Sequence, residues 1–237
     1  MAPSALVRLR CLSTLLLAAT VAGCGSASPG PALDVPAPGA VKPPSSSRVV
    51  TIVMENKESG EVLGSGSSPY LNRLARRSGV AVDSYGVRHP SLPNYLALTS
   101  GATHGIRTNC TSCHVRARSI VDQLEAAHLS WKAYLEDLPR PCFQGAGARG
   151  YAKKHNPFVY YDAVRTQPQR CNRVVPYQRL AGDLRRGALP DYAFIVPNLC
   201  NDTHDCGVRT GDPRPTSEEL VAATTVNIPA RGDHHAG

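Results

Sequence analysis

An uninterrupted run of β-branched residues, Val49-Val50-Thr51-Ile52-Val53, stops abruptly on Met54-Glu55-Asn56. Such a run has no polar face to offer water, so it suits a strand buried on both sides, as in a parallel sheet covered by helices. The residues that follow it alternate in character. Residues 70–77 place Leu71 and Leu74 on one helical face, with Gly79 as a stop. Val80 to Tyr85 reads as a second strand, and residues 91–100 as a helix. Residues 119–128 have helical spacing with Ser119 as the cap and Asp122 in the first turn. Trp131 to Leu135 reads as a strand, residues 177–186 as a helix and Tyr192 to Val196 as the last clear strand. Between them, residues 137–175 are rich in Pro, Gly and Tyr and read as an irregular insertion. This order predicts an α/β domain with a mainly parallel sheet sandwiched by helices.

In such sheets ligands gather beyond the C-terminal ends of the strands. Three polar clusters fall there: Glu55 and Asn56, then Ser91, then the stretch Asn198 to Asp205 containing Asp202, His204 and Asp205. Ser91 sits between Pro90 and Pro93 at the start of a helical segment, where unpaired backbone amides favour an anion. Two readings are open for it, a helix cap and a nucleophile. Carboxylate, amide, hydroxyl and imidazole donors together suit a divalent metal ion, which would lower the pKa of a serine hydroxyl and neutralise charge on a phosphoryl group.

The ends of the chain are of a different kind. Arg8 and Arg10 precede the apolar residues 15–19, a secretory signal over residues 1–23 that is too short to span a membrane. Its end, Val21-Ala22-Gly23-Cys24, resembles the bacterial lipobox, which implies lipidation at Cys24 and attachment to a membrane surface outside the cell; simple secretion is the other reading. Residues 24–47, rich in Pro, Ser and Gly, form a tether with too little apolar surface to order itself. The domain proper is expected over residues 48–212 and an atypical tail over 213–237.

Export also bears on the cysteines. Six remain in the domain, Cys110, Cys113, Cys142, Cys171, Cys200 and Cys206, an even number that favours three disulfides in an oxidising compartment. Sequence-local pairing, 110 with 113, 142 with 171 and 200 with 206, is the expectation among the possible connectivities. Cys110-Thr111-Ser112-Cys113-His114 also fits a c-type haem attachment pattern, but Arg107 and Arg116 flank it where an apolar pocket is needed. The formal charge of +8 suits anionic partners, yet the basic residues form no dense run, so no nucleic-acid partner is expected.

Val53-Met54-Glu55-Asn56 and His89-Pro90-Ser91-Leu92-Pro93-Asn94-Tyr95, followed by Ser100-Gly101 and His104-Gly105-Ile106, resemble the bacterial phosphoesterase family of phospholipases C and acid phosphatases, within the alkaline phosphatase superfamily. The resemblance implies an alkaline-phosphatase-like fold and metal-dependent hydrolysis of phosphate esters through a transiently phosphorylated serine. It assigns Ser91 as nucleophile, Glu55 and Asn56 as metal ligands and Asn94 as a neighbour of the phosphate. More loosely, it carries over Asp202, Asp205, His204 and His104 as metal or phosphate contacts. The family pattern also has a further strand ending in an acidic or Asp-His pair. After Thr210 no stretch reads as that strand, and Asp233, His234 and His235 are the nearest replacements. The expectation is therefore a domain cut short at its C-terminal end, with an impaired or inactive anion-binding protein as the alternative to an active hydrolase. The scarcity of large aromatics, 3 Phe and 1 Trp, favours a soluble ester over a phospholipid.

Overall fold

The computed structural model describes residues 48–212 and, as backbone only, the strand Ala223–Ile228. The strands are β1 (Val49–Glu55), β2 (Trp131–Leu135), β3 (Gly147–Ala148), β4 (Tyr151–Ala152), β5 (Val174–Pro176), β6 (Tyr192–Val196) and β7 (Ala223–Ile228). The helices are α1 (Ser59–Val62), α2 (Pro69–Arg77), α3 (Ser91–Ser100), α4 (Ile120–Ala126), α5 (Asp162–Arg165), α6 (Pro168–Cys171), α7 (Gln178–Arg185) and α8 (Val208–Gly211). Five strands form one sheet in the order β5-β2-β6-β1-β7, every neighbour parallel, while β3 and β4 make a small antiparallel hairpin. This is the α/β architecture that the strand and helix order predicts.

Side chains alternate across the sheet. Val53, Trp131, Ala133, Leu135, Phe194 and Val196 face a large core shared with Leu92, Tyr95 and Leu96 of α3 and with Phe158 to Tyr161. Val50, Tyr134, Ala193 and Ile195 face a smaller core closed by Leu180 of α7. A period of two with both sets buried is the signature of a two-sided sheet, and it accounts for the absence of polar residues in β6.

Two expectations fail. Residues 80–85 form no strand; Val80, Val82 and Tyr85 are 42%, 75% and 51% exposed in a loop that leads into α3. Alternation is only a local preference, and a strand exists only where a neighbour accepts its hydrogen bonds. Conversely, Ala223–Ile228, inside the expected atypical tail, is a strand, paired parallel to β1 from Val50↔Ala223 to Glu55↔Ile228. A strand is therefore present after Thr210, and it ends beside Glu55. Cys24, the tether and Asp233, His234 and His235 lie outside the described residues.

The insertion is irregular only in part. Its β5 joins the sheet edge against β2. The cysteines pair as expected, Cys110–Cys113, Cys142–Cys171 and Cys200–Cys206. The first pair leaves no thiol for haem, and His114 is instead 2.9 Å from Asp162. Among the described residues no helix is long and apolar enough to cross a membrane.

Candidate active site

Glu55 ends β1 and is buried, and Asn56 turns the chain away from the sheet with φ of 65°. A left-handed backbone is tolerated by Asn because its short polar side chain bonds locally. The loop after β6 reaches back onto the same strand end. The Glu55 N–H donates to Asp202 O at 2.7 Å, and Thr203 Oγ1 donates to Glu55 O at 2.7 Å. Thr203 itself has φ of 75°, an uncommon conformation for a β-branched residue. Gly211 leaves room for it: a Cβ there would meet Thr203 Cγ2 at 2.2 Å and Asn201 O at 2.6 Å.

Ser91 is the first residue of α3, whose cap is Pro90, so it is not the cap. The His89–Pro90 peptide is cis. Asn94 holds the loop by its whole amide: Arg88 N–H donates to Oδ1 at 3.1 Å, and Nδ2 donates to Arg88 O at 2.5 Å. The open helix terminus expected to receive an anion is already partly used. The Leu92 N–H donates to Asn109 Oδ1 at 3.0 Å, and Pro93 has no N–H.

Glu55, Asn56, Ser91, Asn94 and His204 line one cleft of about 170 Å³, joined by His89, Asn109 and Lys154. Behind it lies His155, buried and stacked on Tyr95 with ring centroids 5.0 Å apart. His155 Nε2 is 3.1 Å from Glu55 Oε1, and Nδ1 is 3.0 Å from Asp202 Oδ2. These are ion-pair distances without hydrogen-bond alignment: Glu55 Oε2, His155 Nε2, Asp202 Oδ2 and the Tyr95 hydroxyl are buried with no hydrogen-bond partner. Burial alone would disfavour a charged His155, but Asp202 and Glu55 outweigh it and raise its pKa above 6.5. Burial, with Glu55 and Asp202 adding to it, pushes the Tyr95 hydroxyl well above its usual value.

One ligand atom each from Glu55, His155 and His204 lies within 4.8 Å of the others. Of these three, Glu55 and His155 carry buried atoms without hydrogen-bond partners, which a divalent cation satisfies, so they fit such an ion; the ring nitrogens of His204 are taken by Asp205 and Lys154. Asp202 sits behind His155 and not on the cleft, and its Oδ1 accepts the His204 N–H at 2.7 Å. Asp205 has a 56% exposed side chain and accepts from His204 Nδ1 at 2.6 Å. His104 lies beyond the far end of α3 and bonds Ser100 Oγ at 2.7 Å. These three are not brought to the cleft.

Lys154, His155 and Asn109 went unread in the sequence. A signal existed: Lys153-Lys154-His155-Asn156 is a basic, polar tetrad set directly before the apolar run from Pro157 to Tyr161, inside a segment read only as irregular.

The family model described as the phosphoesterase family matches residues 50–220. An acid phosphatase of Aspergillus fumigatus is 34% identical over 146 residues, 58% of this chain and 33% of the relative. A phosphatidylinositol-3-phosphatase of Mycobacterium tuberculosis is 32% identical over 172 residues, 71% of this chain and 55% of the relative. A phosphate-repressible acid phosphatase of Penicillium chrysogenum is 31% identical over 144 residues, covering 58% and 35%. The chain thus spans about a third to about half of the length of these relatives.

Proposed function

The chain belongs to the phosphoesterase family, and on that premise we propose that it hydrolyses phosphate monoesters, with Ser91 as the nucleophile that takes the phosphoryl group. The observation that carries this reading is the meeting of Ser91 with Glu55, Asn56, Lys154 and His204 around a single cleft, although they come from four distant parts of the sequence. A hydroxyl with cationic and metal-ligating neighbours is what in-line displacement at phosphorus requires.

In this reading Ser91 Oγ attacks phosphorus, the ester oxygen leaves, and water later releases phosphate from the serine. Glu55 and Asn56, with His155 in reach, would hold a divalent ion, which supplies the positive charge that lowers the pKa of a serine hydroxyl and offsets phosphoryl charge. Lys154 pairs with a phosphoryl oxygen. Asn94 fixes the loop before Ser91, and Asn109 accepts from the N–H of Leu92 directly after it, so the backbone on both sides of the nucleophile is held.

The cleft is small and polar, which favours a compact monoester head; a phosphorylated lipid headgroup, the class named for the mycobacterial relative, falls within that description. Attachment to a membrane through lipid on Cys24 belongs to the same proposal, and metabolic labelling with a fatty acid, absent in Cys24→Ala, tests it. For the reaction itself, the experiment is metal content measured beside hydrolysis of p-nitrophenyl phosphate and bis-p-nitrophenyl phosphate. The monoester should be cleaved faster, and Ser91→Ala should remove the activity. Equal activity in Ser91→Ala would overturn the proposal.

A further inference from the structure

Asp205, His204 and Lys154 form a row running from solvent into the cleft. His204 Nδ1 is 2.6 Å from Asp205 Oδ1, and its Nε2 is 2.8 Å from Lys154 Nζ. A lysine ammonium has three donors and no acceptor, so His204 Nε2 must accept from it. The one N–H of a neutral imidazole is then on Nδ1, pointing at a carboxylate that can only accept. Donors and acceptors along the row fit a single tautomer.

The row is anchored by backbone. His204 and Asp205 lie in the loop closed by the Cys200–Cys206 disulfide. Within it, the His204 N–H donates to Asp202 Oδ1 at 2.7 Å and the Asp205 N–H donates to Leu199 O at 2.7 Å. The Asp205 side chain is 56% exposed, yet its backbone is fixed, so it presents its carboxylate to His204 from a set position. At the inner end Lys154 lines the same cleft as Ser91. A free lysine side chain is long and flexible, and holding its head in advance removes an ordering cost that anion binding would otherwise bear.

We propose that Asp205 is a positioning residue: it fixes the Nδ1–H tautomer of His204, whose Nε2 lone pair holds the Lys154 ammonium over the cleft, where it contacts the phosphoryl group. The proposal rests on the phosphatase reading for its substrate, but it also commits His204 Nε2 to the lysine and not to a metal ion. A lone pair cannot serve both at once, so removing His204 disturbs anion binding before it disturbs metal binding.

The test uses inorganic phosphate as the probe, with binding measured by calorimetry on the full chain, and a divalent metal titrated separately. Lys154→Met should weaken phosphate binding by about tenfold or more. Asp205→Asn, at an exposed position tolerant of substitution, should weaken it by about threefold to tenfold and lower kcat for p-nitrophenyl phosphate with metal affinity unchanged. His204→Ala should keep its metal affinity and lose phosphate affinity. Nitrogen-15 spectra of the metal-free wild type should show His204 protonated at Nδ1 and bare at Nε2, and Asp205→Asn should mix the tautomers. A wild-type His204 protonated only at Nε2, phosphate binding untouched in Lys154→Met and Asp205→Asn, or metal binding lost in His204→Ala would each overturn the proposal. The spectra and phosphate titrations stand without turnover, so a failure of the Ser91 reading is distinguishable from a failure of this one.

Discussion

Thr203 donates its hydroxyl to the backbone carbonyl of Glu55 over 2.7 Å, tying the disulfide-closed loop after β6 to the end of β1. Two walls of the cleft are thereby fastened to each other at a buried point. Thr203→Val keeps the shape and removes the donor to the Glu55 carbonyl. It should cost about 1–3 kcal/mol of stability, read from urea unfolding, and lower kcat. An unchanged midpoint would mean that the loop is held without this bond.

The pH dependence of the metal-free protein should show His155. Its pKa is raised in the fold because Asp202 and Glu55 outweigh burial. A raised pKa means that the folded state binds the proton more tightly, so the stabilisation is complete below 6.5 and is lost as the pH rises through the folded value. Chelator-treated wild type should therefore lose stability above that point on alkaline titration, and His155→Gln should show a flatter profile. A wild type that gains stability over the same range would contradict the assignment.

The strands buried on both faces could be read from the sequence because a parallel sheet writes itself as short apolar runs, as in β1, β2 and β6. The meeting of Ser91, Glu55 and Asn56 at one cleft could be read because each stands at the end of such a run or opens a helix. Residues 80–85 and β7 could not, since pairing depends on a neighbour that local pattern does not reveal; the second has Thr224, Thr225 and Asn227 in place of an apolar run. His155 escaped for a related reason. It reaches the site from an insertion whose path is set by 3₁₀ turns and the Cys142–Cys171 bridge, and not by periodicity. The family resemblance assigns His104 and Asp205 to the site, but His104 bonds Ser100 beyond the far end of α3, and Asp205 touches the cleft only through His204.

Asn94 acts on Ser91 through the loop. Its Nδ2 donates to Arg88 O at 2.5 Å and its Oδ1 accepts from Arg88 N at 3.1 Å. Asn94→Asp sets a carboxylate against that carbonyl and should displace the nucleophile, with turnover falling by about 100-fold. Steady-state kinetics beside thermal unfolding check it: a pure rise in KM with kcat intact would point to direct substrate contact instead.

The Cys142–Cys171 bridge closes a loop of sequence separation 29 around the insertion that delivers Lys154 and His155. Replacing both cysteines by serine should destabilise the domain by about 2–4 kcal/mol. Urea unfolding of the double variant measures this, and a loss under about 1 kcal/mol would show that packing of Phe158 to Tyr161 holds the insertion unaided.

The proposed mechanism requires Ser91 to carry the phosphoryl group. The direct measurement is rapid acid quenching of the protein during turnover of p-nitrophenyl phosphate, followed by mass analysis of its peptides. One added phosphoryl group is expected on the peptide containing Ser91, absent in Ser91→Ala. Turnover with no phosphorylated Ser91 in the quenched protein, or with the group on another residue, would contradict it.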